Sequence, residues 1–169
     1  MGEIEQAKTL IVQQKYKEAR ELLDSNISAN RSNDEFWYLR GVTALKLKNY
    51  DTAQECFARA LVIGKKSKYY QIKGMAHFEI FEMEEAADAF LKALVLEPDD
   101  ATTNFFLAVS YLFLDDPKSE NYIKKAYKAD AKKTKQLLMN FFTLFLKDDK
   151  RMTALQKSRI EERIRSLGS

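Results

Sequence analysis

The sequence predicts an all-α fold that is built from about five antiparallel helix pairs. The first observation is an internal repeat, because residues 37–61 and residues 70–94 carry small and large side chains at matching positions. A fixed offset over the length of a helix pair is typical of stacked helical repeats. At an offset of 33 residues, the matching pairs are Gly41 and Gly74, Ala53 and Ala86, Phe57 and Phe90, and Ala60 and Ala93.

The composition also favours helices over sheets. The 169 residues include only two prolines and five glycines, which is typical of long helices joined by short turns. Hydrophobic residues make up 46% of the chain, which is enough to build a core. Ala, Leu, Lys, Glu and Gln are plentiful, and these residues have high helix propensity.

The repeat offset sets the element boundaries in order. Shifting the second copy back by 34 residues brings Ala7, Tyr16 and Leu23 into the pattern. Shifting the third copy forward brings in Ala108 and Ala126, and a less regular pair follows. The sequence therefore predicts a single domain over residues 1–169, with helix pairs at about 2–28, 34–64, 67–97, 100–130 and 134–167.

Three turn signals support these boundaries. Asp51 followed by Gln54 is the spacing of a capping box at a helix N-terminus. Asp116 followed by Pro117 places a good N-cap before a proline at the first helical position. Gly64 suits the left-handed residue that commonly follows a helix end.

The repeated pattern of a bulky residue, Gly, Tyr, Ala, Phe and Ala resembles the tetratricopeptide repeat. The resemblance covers residues 1–130, and residues 131–169 follow by extrapolation. It implies a right-handed superhelical solenoid with a concave face lined by the first helix of each pair and with a C-terminal capping helix. The residues that carry it are Trp37, Gly41, Tyr50, Ala53, Phe57 and Ala60, then Tyr70, Gly74, Ala86, Phe90, Ala93 and Pro98.

Neither the histidine nor the cysteine predicts catalysis. His77 stands where the repeat family places a packing aromatic, and Cys56 precedes the core residue Phe57 in a helix. The sequence shows no Cys/His set for zinc, no calcium loop and no glycine-rich phosphate loop. We therefore expect a protein that is not an enzyme and that uses no metal or cofactor.

The concave face is the predicted partner site. Its apolar and aromatic side chains favour an apolar or amphipathic segment of another protein, either helical or extended. An acidic chaperone tail is disfavoured, because the asparagines of the known clamp are missing from the matching positions. The predicted groove residues are Tyr38, Leu45, Gln71, Met75, Phe78, Phe105 and Leu112.

Two alternatives come from the C-terminal third. Phe141, Phe142 and Phe145 lie in a helix that is apolar almost all round, which favours a homo-oligomer joined through the last helix pair. Residues 118–169 carry 14 Lys or Arg against 6 Asp or Glu, a net charge of +8, whereas residues 1–117 carry a net −5. An acidic protein, an anionic membrane surface or, less favoured, nucleic acid would bind the lysines. The candidate anion-binding residues are Lys124, Lys125, Lys128 and Lys132.

The expected location is the cytoplasm. The single cysteine forms no internal disulfide, so the sequence gives no support to an oxidising compartment. The first residues include acids where a secretory signal carries bases, and no apolar run reaches the length of a membrane span.

Overall fold

The computed structural model describes residues 2–148, 150 and 153–166, which form helices and turns with no strand among them. The fold class is all-α, as the repeat pattern predicts. A short 3-10 turn at Ser28–Asn30 and a π-helical turn at Phe142–Leu146 complete the helices. The α-helices are α1 (Glu3–Val12), α2 (Tyr16–Ser25), α3 (Asp34–Lys46), α4 (Tyr50–Ile63), α5 (Ser67–Glu79), α6 (Met83–Leu96), α7 (Ala101–Phe113), α8 (Lys118–Ala129), α9 (Ala131–Phe141) and α10 (Ala154–Ser166).

The helices fall into two compact units, Met1–Leu96 and Glu97–Ser169. In the first unit, α1 packs on α2, α3 on α4 and α5 on α6, and the first helices α1, α3 and α5 also contact one another in succession. Because consecutive pairs share their apolar faces, the core of the first unit extends from one pair to the next.

Glycine allows the two helices of a pair to approach closely. A Cβ atom on Gly41 would lie only 2.6 Å from Cδ1 of Phe57, and one on Gly74 only 2.6 Å from Cε1 of Phe90. Both phenylalanines are buried, at 0% and 1% exposure. The glycines and phenylalanines that recur at matching repeat positions therefore pack directly against each other in both pairs.

The turn between the two helices of a pair has a feature that the sequence did not reveal. Gln14, Lys48, Phe81 and Asp115 all have positive φ, between 54° and 62°, although none is glycine. They recur at offsets of 34, 33 and 34 residues, so the turns within the first four helix pairs each place a left-handed residue at the same position. Side chains other than glycine pay a steric cost in this region.

The cap of α4 differs from the predicted one. The Oδ1 atom of Asn49, and not the side chain of Asp51, accepts a hydrogen bond from the Thr52 amide at 3.3 Å. The Gln54 side chain therefore takes no part in a capping box. Its amide nitrogen and oxygen are shielded from solvent and have no hydrogen-bond partner among the described residues.

Gly64 is needed for close contact and not for a left-handed backbone. Its φ of −138° and ψ of 123° are extended, so the prediction of a left-handed residue here is wrong. A Cβ atom on Gly64 would overlap the carboxylate of Asp34, whose Cγ would be 2.9 Å away. That carboxylate also accepts a hydrogen bond from the Tyr69 hydroxyl at 3.0 Å and pairs with Lys66 Nζ at 2.7 Å.

The second unit contains α7 to α10. Asp100 caps α7 by accepting from the Thr103 amide at 2.6 Å, and Asp116 accepts from the Lys118 amide at 2.9 Å at the start of α8. Asp130 is both the C-cap of α8 and the N-cap of α9. Helix α9 therefore begins at residue 131, three residues before the predicted start. The capping helix is present as α10, but Leu167, where the last pair was predicted to end, lies outside the described residues.

Candidate functional site

The first helices of the pairs in the first unit, α1, α3 and α5, are joined by a row of ion pairs. Lys8 Nζ of α1 lies 3.2 Å from Glu35 Oε1 of α3, and Lys68 Nζ of α5 lies 4.0 Å from the same oxygen. Hydrogen bonds to Glu5 and then to Glu35 raise the pKa of Lys8. The row therefore joins three successive first helices across one continuous surface.

Tyr38 lies at the centre of this face. Its ring stacks on that of Tyr69, with centroids 5.0 Å apart, and Lys68 Nζ lies 4.9 Å from the Tyr38 centroid. Burial and then the nearby charge of Glu35 raise the pKa of Tyr38. A cation over a half-buried ring stabilises that ring orientation, so the aromatic surface is held in place before any ligand arrives.

Apolar side chains flank the charged row. Ile4 lies four residues before Lys8, and Val42 four residues after Tyr38, so each shares a helix face with a member of the row. Met75 lies seven residues after Lys68 and is half-buried. We define the first-helix face as Ile4, Lys8, Glu35, Tyr38, Val42, Lys68, Gln71, Ile72 and Met75.

Three of the predicted groove residues lie on this face, and two do not. Tyr38, Gln71 and Met75 are half-buried, and Gln71 Nε2 donates to Ser67 Oγ at 3.4 Å. Leu45 and Phe78 are 3% and 8% exposed. Leu45 belongs to a buried cluster with Phe57, Ala44, Ala53 and Ala76, so it contributes to the core and offers no open surface.

The other two groove residues belong to a cleft in the second unit. Phe105 is buried at 1% exposure, whereas Leu112 is 60% exposed. Both line a cleft of about 190 Å³ between α7, α8 and α9. We call this the α7–α9 cleft, and its apolar lining is Phe105, Ala108, Val109, Leu112, Ile123, Leu138 and Phe141.

The three phenylalanines predicted for self-association lie in different environments. Phe142 is buried at 3% exposure, so it packs inside the second unit and is not available at its surface. Phe141 is half-buried and lines the α7–α9 cleft, and Phe145 is 43% exposed with its ring centroid 4.9 Å from that of Phe141. The prediction that they join two copies stays a prediction.

The four candidate anion-binding lysines are all exposed. Lys124 pairs with Glu120 at 2.6 Å, and Lys125 Nζ lies 4.7 Å from the Tyr122 centroid. Lys128 is near the end of α8, and Lys132 is in the first turn of α9. Their role in binding anions stays a prediction.

Cys56 is buried in the core, and His77 contacts a carboxylate. Cys56 is fully buried, and burial raises the pKa of its thiol although the Arg40 guanidinium donates to Sγ at 3.2 Å. His77 Nδ1 lies 2.7 Å from Glu82 Oε2. A thiol with a raised pKa is a poor nucleophile, because the thiolate is the reactive form. Across the residues that the structure describes, no group of three or more His, Cys, Asp or Glu side chains is arranged to hold a metal ion.

Helix length and polarity bear on membrane insertion. Within the described ranges, every helix is too short or too polar to cross a lipid bilayer.

Comparison with known proteins agrees with the repeat pattern. Residues 4–68 match one sequence profile described as Tetratricopeptide repeat, and residues 67–100 match a second with the same description. A TPR repeat-containing protein of Methanocaldococcus jannaschii is 26% identical over 118 residues, which is 69% of this chain and 21% of that protein. The chain therefore spans about a fifth of the length of this curated relative.

Solved structures share the fold. A crystal structure of MamA superposes with a TM-score of 0.72 at 18% identity, covering 94% of this chain and 91% of that chain. YrrB, described as a TPR protein with an unusual peptide-binding site, superposes with a TM-score of 0.67 at 20% identity, covering 74% and 66%. Identities at this level show a common fold and nothing further about ligands.

Proposed function

Because this chain belongs to the tetratricopeptide repeat family, we propose that it is a non-catalytic scaffold that binds another protein through the first-helix face. The observation that carries the proposal is the row from Lys8 through Glu35 to Lys68, with the Tyr38 ring packed against both Lys68 and Tyr69. A fixed, partly apolar surface across three helices suits the recognition of an extended or helical segment.

The chemistry of the face favours an amphipathic segment. Ile4, Tyr38 and Met75 would contact the apolar stripe of such a segment, and Met adapts readily to irregular shapes. Lys8 pairs with both Glu5 and Glu35, and Lys68 lies 4.0 Å from Glu35, so a carboxylate on the partner would exchange with these acids at two lysines already in place. We expect the scaffold to act in the cytoplasm and without a cofactor.

Affinity purification with matched variants tests this proposal. The bait is the full chain, with Met75→Glu and Lys68→Glu placed on the first-helix face and Val62→Glu as the control. Val62 is 86% exposed on α4, so its substitution introduces a glutamate in the same unit away from the face, with the same charge change as Met75→Glu. We expect one partner to be lost from both face variants and kept by the control. A partner that both face variants retain would refute the proposed surface, provided that circular dichroism shows each variant to be helical.

A further inference from the structure

The turn between α5 and α6 carries an exposed aromatic side chain in an unfavourable backbone conformation. Phe81 is 63% exposed and has a φ of 62°. The residues with positive φ in the other three turns, Gln14, Lys48 and Asp115, are polar. A bulky side chain in this region is uncommon and costs free energy, and such strain clusters at functional sites. Phe81 therefore combines a steric cost with a large apolar surface, which makes this turn a candidate contact point.

Acidic side chains surround this aromatic ring. Residues 79–88 contain five Asp or Glu and no Lys or Arg, and all five acids are exposed. Glu82 lies 2.7 Å from His77 Nδ1, but Glu84 and Glu85 form no ion pair with the part of the chain that the structure describes. We define the acidic turn as residues 79–85.

The first unit also has a depression at the end of α4. Its volume is about 640 Å³, and we call it the Trp37 pocket. Val62 and Ile63 line it and are 86% and 42% exposed. The guanidinium carbon of Arg59 lies 4.6 Å from the centroid of the Trp37 ring, at the side of the same pocket. The pocket therefore offers an open aliphatic surface beside an aromatic ring.

The mouth of the pocket is basic. Of the charged side chains that line it, Arg59 is neutralised by Glu55 at 2.7 Å. Arg31 is exposed, and its guanidinium has neither an ion pair nor a hydrogen bond among the described residues. Lys65, two residues after Ile63, is likewise exposed and unpaired within the described chain. Two cations are therefore open to carboxylates that approach the pocket.

The acidic turn and the Trp37 pocket lie at opposite edges of the first unit. Gly64, which follows α4, lies against Asp34 at the start of α3, so these two helix ends share one edge with the pocket. The Tyr50 hydroxyl lies 3.5 Å from Glu79 Oε2, so the start of α4 and the end of α5 share the other edge with Phe81. Because the 14 residues of α4 span about 21 Å between the edges, the turn cannot reach the pocket of its own copy.

Size and charge both suit a second copy as the occupant. A cavity of roughly 150 Å³ holds a benzene ring, so the pocket has room for the Phe81 ring together with the backbone of its turn. Residues 1–96 contain 14 Lys or Arg and 14 Asp or Glu, so two first units do not repel each other through net charge. The acids of the turn and the cations at the pocket are therefore complementary without an opposing long-range field.

We propose that the acidic turn of one copy binds in the Trp37 pocket of a second copy, so that the chain associates head to tail. The Phe81 ring packs on Val62 and Ile63, and carboxylates of the turn approach Arg31 and Lys65. Each contact leaves a free turn at one end and a free pocket at the other, so further copies can add. One turn and one pocket bury less surface than a standard interface, so the association is weak and reversible.

Sedimentation equilibrium of the full chain tests the mode of association. The average mass should rise above the 19.6 kDa of one copy and should keep rising with concentration, because a head-to-tail contact does not close. Added salt should reduce the average mass, since the cations and carboxylates are exposed. Trp37 is the single tryptophan, so its fluorescence should change over the same concentrations. A mass that stays at one copy, or that stops at two copies, overturns the proposal.

Two variants that each block one half of the contact give a sharper test. Phe81→Gly removes the ring and relieves the positive φ, so this chain should fold at least as well as the parent. Ala58→Glu places a carboxylate in the pocket at an exposed position. Each variant alone should associate about tenfold more weakly, whereas an equal mixture should form one-to-one complexes, since each supplies the half that the other lacks. A mixture that associates no better than its components overturns the proposal.

Matched controls separate the contact from general effects of substitution. Lys48→Gly relieves the same backbone conformation as Phe81→Gly and should leave the association constant within about twofold of the parent. Arg31→Glu should weaken association about tenfold, whereas Arg20→Glu, at an exposed position of α2, should not. Equal losses for the controls and for the contact variants would overturn the proposal.

The association of copies can be tested apart from the partner site on the first-helix face. Val62→Glu, the control for that face, should dissociate the copies and still retain the partner, and a crosslinker at Val62 should reach a second copy and not that partner. Met75→Glu should lose the partner and leave the association of copies unchanged. Self-association that Phe145→Ser abolishes and Ala58→Glu does not would place the contact in the last helix pair and overturn the proposal.

Discussion

The ring of Phe57 occupies the place where a side chain on Gly41 would begin. A Cβ atom on Gly41 would lie 2.6 Å from Phe57 Cδ1 and closer still to Cε1, which is shorter than real Cβ contacts, and Phe57 is itself fully buried. Gly74 and Phe90 repeat this arrangement in the next pair. Because Gly41 and Gly74 have no side chain, the two helices of each pair can approach this closely.

Gly41→Ala should destabilise the chain despite the higher helix propensity of Ala. Overpacking costs about 1–3 kcal/mol, and the gain in propensity returns about 1 kcal/mol. We expect the free energy of unfolding to fall by up to roughly 2 kcal/mol in urea titrations. Phe57→Leu in the same chain should relieve part of the clash, so the two changes should be non-additive.

Gly2→Ala is the matched control, because nothing lies within 4 Å of a Cβ atom at Gly2. Its effect on the free energy of unfolding should stay within about 0.5 kcal/mol. Equal effects of the two substitutions would show that packing against Phe57 does not decide the result.

Lys48→Gly should stabilise the first unit. Lys48 has a φ of 59°, a conformation that glycine adopts without steric cost. We expect the unfolding free energy to rise by about 0.5–1 kcal/mol, and Asp115→Gly to give a smaller gain because Asp tolerates this region better. Arg20→Gly, at an exposed position in the interior of α2, should instead lose about 1 kcal/mol. A loss for Lys48→Gly would mean that the turn does not have this conformation in solution.

Replacing Gln54 with a side chain that needs no hydrogen bond should also stabilise the fold. Both polar atoms of its amide are shielded and have no partner among the described residues, which costs about 1–3 kcal/mol. Gln54→Met keeps a similar shape and should raise the midpoint of thermal unfolding. Gln136→Met, at an exposed position of α9, should leave it unchanged. A lower midpoint for Gln54→Met would reveal a bound water or another partner for the amide.

The ion pair at the start of α3 predicts a specific dependence on pH. Hydrogen bonds from Lys66 and from the Tyr69 hydroxyl lower the pKa of Asp34, although burial acts in the opposite direction. A carboxyl with a lowered folded pKa stabilises the fold fully above its unfolded pKa of about 3.9, and this stabilisation is lost as the pH falls through the folded value.

Asp34→Asn should therefore destabilise the chain at pH 7 and much less at pH 2. Lys66→Met removes the partner and should show the same trend, and the double variant at pH 7 should be less destabilised than the sum of the two. Urea unfolding at both pH values measures this. A pH-independent effect of Asp34→Asn would contradict the lowered pKa.

The sequence predicted the repeats well because their determinants are local. The Gly41–Phe57 and Gly74–Phe90 contacts follow from spacing alone, and the predicted pairs agree with the observed helices to within a few residues. The left-handed turns were missed since Lys48 and Phe81 give no glycine signal, although their common offset would have marked them. The cap at Asn49 was missed because Asp51 is an equally good capping residue, and only the backbone geometry distinguishes them.

The sites were harder to predict than the fold. Spacing places Leu45, Phe78 and Phe105 on first helices, but it does not state how far neighbouring helices cover them. Those three side chains are buried, whereas Tyr38, Gln71 and Met75 on the same type of helix remain partly open. The convergence of Leu112, Ile123 and Phe141 on one cleft depends on how α7, α8 and α9 pack, which repeat spacing does not specify.

Photo-crosslinking tests the central claim most directly. A benzoylphenylalanine residue at Met75 places the reactive group on the first-helix face, and one at Val62 places it on α4 of the same unit. In a lysate of the source organism, Met75 should crosslink one protein, through a segment with apolar residues at i, i+3, i+4 and i+7, and Val62 should not. A synthetic peptide of that segment should compete. Crosslinking of the same partner through Val62 alone, or no product at Met75, would contradict the account.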